Sequence, residues 1–239
     1  LAPLAGLADR VVHLAPPSES GVVDGRTRAL LSVLSKREMV AQGSPPSLGV
    51  RRLVYVSTTG VYGDCGGAWI DESRPVNPTS DRARRRVDAE AAVTAWAQAE
   101  GTSLAILRVP GIYAAERLPI ERLRKGTPAL APEDDVFTNH IHADDLANIL
   151  MIALERDDAR GVFNTIDDTE MKMGEYFDLV ADRFGLPRPP RISRAEARDR
   201  IPPALLSFMS ESRRIRNDRM KRELGVVLRY PTVFEGVPA

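Results

Sequence analysis

Cysteine is nearly absent from this sequence: Cys65 is the only one in 239 residues. One thiol excludes an intrachain disulfide and suits a reducing compartment. No apolar run approaches the roughly 20 residues that span a bilayer. No basic-then-apolar segment marks a secretory leader. The expected location is therefore cytoplasmic, with no membrane partner. An excess of one charge is also missing, because 33 Lys and Arg face 33 Asp and Glu. That balance gives no global electrostatic case for nucleic acid or an anionic surface. Only three histidines occur, His13, His140 and His142, and their spacing forms no recognisable metal site, so no metal is expected. Lysine is scarce, at Lys36, Lys125, Lys172 and Lys221, so the cationic residues are mostly arginine. Arginine clusters read as phosphate-binding surfaces, or simply as codon usage in a GC-rich genome.

What is present suffices for a core. Hydrophobic residues make up 43%, enough for one large domain carrying a smaller lobe. Val11 to Leu14 reads as a strand stopped by Pro16-Pro17. Arg26 to Lys36 reads as a helix with Ala29, Leu30, Val33 and Leu34 on one face. A loop follows over 43–49, then a strand from Leu53 to Ser57 and a glycine- and proline-rich loop from Gly63 to Pro78. Ser80 can cap a helix running to about Glu100, with Val87, Ala91 and Ala95 on its apolar side and Gly101 as its stop. Strands are expected at Leu104 to Val109, Val136 to His142 and Gly161 to Ile166. Helices are expected at Pro119 to Arg124, Ala143 to Glu155 and Met173 to Phe184. Beyond Pro187 the helices shorten to Arg194–Asp199, Ala204–Ser210 and Asp218–Leu224. Alternating strands and helices predict an α/β fold, a doubly wound and mostly parallel sheet with a small C-terminal substrate lobe. The boundary is placed as 1–166 for the sheet domain and 167–239 for the lobe, with 111–139 contributing to the lobe.

The richest stretch is Leu53 to Gly63. An apolar run ends in Ser57, Thr58 and Thr59, then Gly60, Val61, Tyr62 and Gly63 follow. Such a strand delivers hydroxyls to the carboxyl edge of a sheet, where open α/β folds bind ligands. This stretch resembles the strand-end signature of the extended short-chain dehydrogenase/reductases, the NAD-dependent epimerase/dehydratase family. Val11-Val-His-Leu-Ala, Ile70-Asp-Glu-Ser-Arg-Pro, Leu107-Arg-Val-Pro-Gly-Ile-Tyr, His140-Ile-His-Ala-Asp-Asp-Leu-Ala and Arg222-Glu-Leu-Gly resemble further family segments in the right order.

The resemblance implies an NAD(P)-binding Rossmann-type fold with NAD or NADP as cofactor and a sugar-like small molecule as substrate. It also implies a homodimer through the helices at about Arg26–Lys36 and Ser80–Glu100. Cofactor contacts are expected from Leu14, Ala15, Pro16, Ser57, Thr58, Arg86, Val109, Pro110, Gly111 and Ile112. Substrate contacts are expected from Thr59, Tyr113, Asn139 and His140.

Two departures stand out. No Gly-x-x-Gly-x-x-Gly loop occurs, and Leu1 rather than Met opens the chain. At roughly 30 residues per βαβ unit, the family layout predicts a natural front segment of about 50 to 60 further residues. Moreover, the family's Tyr-x-x-x-Lys dyad falls on Arg82 and Arg86. A guanidinium stays protonated and cannot act as an ordinary base. The catalytic candidates are therefore Thr58, as a hydrogen-bond donor to substrate, with Arg82 and Arg86 as electrostatic stabilisers.

Other residues carry two readings each. Ser57, Thr58 and Thr59 serve ligand or strand end. Tyr62 and Tyr113 are substitute acid/bases or packing residues. His13 is a satisfied core histidine or a site residue, and His142 a neighbour of the following helix. Asp144 and Asp145 suit a helix start. Glu133, Asp134 and Asp135 form a solvated acidic turn, Arg84 to Arg86 a solvated face, and Cys65 an inert loop thiol. Gly111 replaces an asparagine that often contacts substrate in the family. Function then divides between an oxidoreductase or epimerase and a non-catalytic dinucleotide-binding redox sensor acting through a partner protein. An arginine-surfaced nucleic-acid binder is a third reading, with salt-dependent retention on polyanions as its signature.

Overall fold

The computed structural model of the protein describes residues 6–35 and 49–238. Among the described residues, four parallel strands form the central sheet: β1 (Arg10–His13), β2 (Arg52–Thr58), β3 (Ser103–Val109) and β4 (Gly161–Asn164), in that spatial order. Their side chains alternate between two covered faces. Leu53, Tyr55 and Ile106 pack on Leu31, Ala89 and Val93 of α1 (Gly25–Leu34) and α2 (Asp81–Glu100). Val54, Ala105 and Leu107 pack on Leu146, Ile149 and Ala153 of α3 (Ala143–Glu155). Helices on both faces make this the doubly wound arrangement that the alternating pattern predicts.

Capping follows local chemistry. The Ser80 side chain accepts a hydrogen bond from the Ala83 amide at 3.2 Å, and Gly101 closes α2 at φ 68°. The buried face of α2 differs from the expected one. Ala83, Arg85, Ala89, Glu90, Val93 and Ala97 face inward, whereas Ala91 and Ala95 are exposed and Val87 is half-buried. The inward stripe carries charged residues, which hydrophobic periodicity scores as solvent-facing. Arg84 alone of its trio is solvated; Arg85 is buried and bonds the Gly21 carbonyl, and Arg86 is half-buried. In α1 the buried residues are Thr27, Leu31 and Val33, while Ala29 is exposed. The expected end of that helix at Lys36 and most of the loop 43–49 lie outside the described residues.

The lobe has its own core. Leu123, Leu130, Ile192, Met209 and Val233 surround α4 (Met173–Arg183). Two short ladders tie it together, Ala129–Leu130 with Arg191–Ile192 and Phe137–Thr138 with Met171–Lys172, and a third, Trp69–Ile70 with Arg214–Ile215, joins it to the loop after β2. The expected strand from Val136 to His142 divides into two pieces, Phe137–Thr138 and His140–His142, with separate partners.

The acidic turn is not merely solvated. Asp134 accepts from the Arg194 amide at 2.7 Å and Asp135 from the Gly174 amide at 2.9 Å, each at a helix start. Asp145 likewise does more than begin a helix, because its two oxygens accept from the amides of Arg229 and Tyr230 at 2.7 and 2.9 Å. Among the described residues no helix is long and apolar enough to cross a membrane.

Candidate active site at the carboxyl edge of the sheet

β2 and β3 end side by side, with Thr58 in register with Val109. At that edge Thr58 leaves the strand and caps a single 3-10 turn over Thr59–Tyr62. Its Oγ1 accepts from the Gly60 amide at 3.2 Å. Gly63 then reverses the chain at φ 65°, and a Cβ there would lie 2.2 Å from the Asn77 carbonyl oxygen. Only glycine suits that turn.

The dyad positions have opposite fates. Arg86 reaches the sheet: its Nη1 donates to the Tyr55 hydroxyl at 3.1 Å and to the Val56 carbonyl at 3.0 Å. It thus holds a permanent positive charge two residues from Thr58. Arg82 instead turns to the lobe, its guanidinium 4.2 Å from the ring centre of Phe208. Burial pulls the Arg82 pKa down, with Glu211 opposing.

The remaining predicted residues are distributed as follows. Ser57 is buried and donates to Glu90 Oε1 at 2.6 Å. Thr59 and Val109 are buried, Pro110 and Ile112 half-buried and Gly111 exposed. After β1, Leu14 and Pro16 are exposed and Ala15 half-buried, with the Pro16 carbonyl accepting from Arg26 at 2.8 Å.

The expected substrate residues Thr59, Tyr113, Asn139 and His140 are all buried. Gly111–Tyr113 pairs in parallel with His140–His142. Tyr113 is 2% exposed, and its hydroxyl donates to the Thr232 carbonyl at 3.3 Å. His140 is also buried against Tyr176, 4.4 Å between ring centres, and burial holds its pKa down at about 3. Asn139 donates to the Arg213 carbonyl at 3.1 Å. It lines a small crevice with Trp69, Phe137, Thr138 and Arg214.

The tyrosine hydroxyls nearest the edge are engaged with protein partners. Tyr55 accepts from Arg86, Tyr62 donates to Asn164 Oδ1 at 2.7 Å, and Tyr113 and Tyr176 sit in the lobe core. Desolvation raises the pKa of all four. Tyr230 lies against His142, 3.9 Å between ring centres. His142 accepts from the Asp144 amide at 3.1 Å, as a neighbour of α3 should. His13 pairs with Thr27 Oγ1 at 2.8 Å inside the core. The Cys65 thiol is pushed up by desolvation, which leaves it weakly nucleophilic. Among the described residues no group of three metal-ligating side chains converges.

Sequence reasoning missed the polar layer beneath the edge. Glu90 receives both Ser57 and Arg108, the latter through Nε at 3.1 Å and Nη2 at 2.7 Å. The available signal was Arg108 itself, a charge inside an otherwise apolar strand.

Comparison with known proteins agrees with this geometry. The model of the NAD dependent epimerase/dehydratase family matches residues 9–165. A UDP-glucose 4-epimerase of Corynebacterium glutamicum is 26% identical over 201 residues, covering 74% of this chain and 58% of that protein. Protein YeeZ of Escherichia coli K12 is 26% identical over 141 residues, covering 59% and 48%. The chain thus spans about half the length of the curated relatives it matches. A conserved protein of unknown function from Silicibacter pomeroyi superposes with a TM-score of 0.77 at 33% identity, covering 94% of this chain and 74% of that one. With a parallel sheet, a hydroxyl-bearing strand end and a family match over most of its length, this chain belongs to the NAD dependent epimerase/dehydratase family.

Proposed function

We propose that the chain forms the nicotinamide-side edge and the substrate lobe of an NAD(P)-dependent oxidoreductase or epimerase. Its substrate would be a small sugar-like molecule. The observation that carries this reading is Arg86. It stands where the family has lysine and is anchored by Tyr55 and Val56 beside the edge that bears Thr58.

The fit to a dinucleotide is partial. Thr58, Val109, Pro110 and the exposed Gly111 offer hydroxyl, backbone and open space suited to a nicotinamide and its ribose. A Cβ on Gly111 would meet only the Asn139 carbonyl, at 3.7 Å. No glycine-rich strand-to-helix turn occurs in the sequence, so these residues provide no pyrophosphate cradle of the usual kind. When bound, the nicotinamide would supply or accept the hydride. The protein's part is positional and electrostatic: Thr58 donates a hydrogen bond to the substrate oxygen, and Arg86 stabilises negative charge developing there. Oxidation of a hydroxyl would release its proton to water and reduction of a carbonyl would take one from water, since the tyrosine hydroxyls nearest the edge are engaged with Arg86 and Asn164.

That last point favours a second reading, a dinucleotide-binding protein that reports redox state to a partner without turnover. A titration with NADH and NADPH, read by tryptophan emission and followed by a panel of carbonyl compounds, separates the two. Saturable binding with stereospecific hydride transfer supports the enzyme. Saturable binding without transfer supports the sensor. A folded sample that binds neither cofactor overturns both for this chain.

A further inference from the structure

One row of side chains crosses the sheet just beneath the candidate edge. Ser57, Arg108 and Asn164 are consecutive register partners on β2, β3 and β4, one position before Thr58 and Val109. An apolar row would be the ordinary choice there, since Leu53, Tyr55 and Ile106 precede it on the same face. Instead the row is polar, and Ser57, Arg108 and Asn164 are 3%, 6% and 0% exposed.

The row is also continuous. Ser57 Oγ donates to Glu90 of α2 at 2.6 Å, and Arg108 grips both oxygens of the same carboxylate. The Arg108 guanidinium lies 4.7 Å from the ring centre of Tyr62, whose hydroxyl donates to Asn164 at 2.7 Å. From Asn164 the chain leaves the sheet. Its Nδ2 donates to the Arg216 carbonyl at 3.2 Å, and its backbone amide donates to Glu72 Oε1 at 2.8 Å. Arg216 follows the short lobe strand Arg214–Ile215, and its guanidinium lies 5.0 Å from the ring centre of Trp69.

A buried ion pair is weak evidence for stability, because desolvating both charges costs about what their attraction returns. A fully satisfied network, by contrast, specifies one geometry. We infer that Glu90 is a positioning residue: it heads a buried polar chain that fixes the strand ends around Thr58 and fastens them to the lobe strand beside Trp69. The role of Thr58 as substrate contact rests on the function proposed above; the chain itself does not.

The test uses the whole chain in a Trp96→Phe background, so that emission reports Trp69, with threonine methyl labels to follow Thr58. In one variant the charged centre becomes apolar, through Ser57→Ala, Glu90→Leu and Arg108→Leu together. We expect it to keep or raise the melting temperature, to broaden or split the Thr58 methyl signal and to shift Trp69 emission to the red. Glu90→Gln, which keeps an acceptor for Ser57, should retain more of the parental Thr58 signal than the triple variant. Tyr62→Phe removes only the hydroxyl to Asn164 and covers the case in which the triple variant fails to fold. It should shift Trp69 emission with the fold intact. An unchanged Thr58 signal and unchanged Trp69 emission in the folded triple variant, or in Tyr62→Phe should the triple variant not fold, would overturn the positioning role. Cofactor titration of the parent is separate: failure there removes the functional reading and leaves the positioning result standing.

Discussion

Gly63 shows how much one backbone position decides at this edge. It combines φ 65° with a Cβ approach of 2.2 Å to the Asn77 carbonyl. Gly101 has a similar φ of 68°, but a Cβ there would meet nothing within 4 Å. Gly63→Ala should therefore cost well above the roughly 1 kcal/mol of a left-handed alanine, on the order of 3 kcal/mol once backbone displacement is included. Gly101→Ala should cost only about 1 kcal/mol. Urea unfolding of both variants checks this, and equal losses would sink the steric argument. Residues of this kind were legible in part. The hydroxyl triplet, Tyr62 and Gly63 are local in sequence, so the strand end could be read directly, though not the 3-10 turn over Thr59–Tyr62. Glu90, Arg108 and Asn164 lie far apart along the chain. Only the parallel register, a tertiary fact, puts Arg108 and Asn164 in one row with Ser57, and only the packing of α2 brings Glu90 onto that row. Arg82 was legible as a departure from the dyad, but its partner Phe208 lies more than a hundred residues away.

At the scale of elements, the strand His140–His142 and the segment after β4 are joined through their backbones, and each buries a titratable side chain. The Asp167 amide donates to the His140 carbonyl at 2.8 Å. Burial lifts the Asp167 carboxyl to about 7 and lowers His140 to about 3. The two effects on stability have opposite signs. For His140, the unfolded chain takes up a proton below its usual pKa of about 6.5 that the folded protein refuses, so stability falls as pH drops toward 3. For Asp167, the folded protein keeps a proton that the unfolded chain releases above about pH 3.9, so stability falls as pH rises toward 7. Between roughly pH 4 and 6.5 the two slopes, each at most about 1.4 kcal/mol per pH unit, offset one another. Asp167→Asn should gain stability over the parent as pH rises from about 4 to 7. His140→Gln should gain as pH falls from about 6.5 toward 4. Denaturant unfolding across this range checks both, and parallel pH profiles for parent and variants would refute the two burial-driven shifts. Neither shift was readable beforehand, since neither burial nor the backbone bond follows from His140 and Asp167 as letters. Elements themselves were readable where caps and stops were chemical, as at Ser80 and Gly101. They were misread on α2, where Arg85 and Glu90 face the interior.

For the whole molecule, neutrality hides a strong asymmetry between the two ends of the sheet. β4 is fastened to α5 (Asp218–Leu224), with Arg219 donating to the Val162 and Arg160 carbonyls at 2.8 and 3.1 Å. β1 pairs only with β2, and its far edge is unpaired among the described residues. Apolar residues gather along the chain near that edge: Leu7, Leu14, Val22 and Val23 are 72%, 56%, 47% and 51% exposed. An unpaired parallel edge beside exposed apolar side chains is a template for further strands. Arginine shields it little, since Arg10 is turned to Leu154 and Asp157. The 239-residue chain alone should therefore self-associate as its concentration rises, through β1 rather than through the α1 and α2 face that the family resemblance suggests for a dimer. Light scattering on the parent and on Val12→Pro, which removes an edge donor and forbids further pairing there, measures this. Proline should lower the association if the edge carries it. An associated state that survives Val12→Pro in a folded sample and dissolves instead with substitutions on the exposed face of α2, such as Ala91→Glu and Ala95→Glu, would move the interface to the helices. That outcome would leave the edge to be covered from elsewhere.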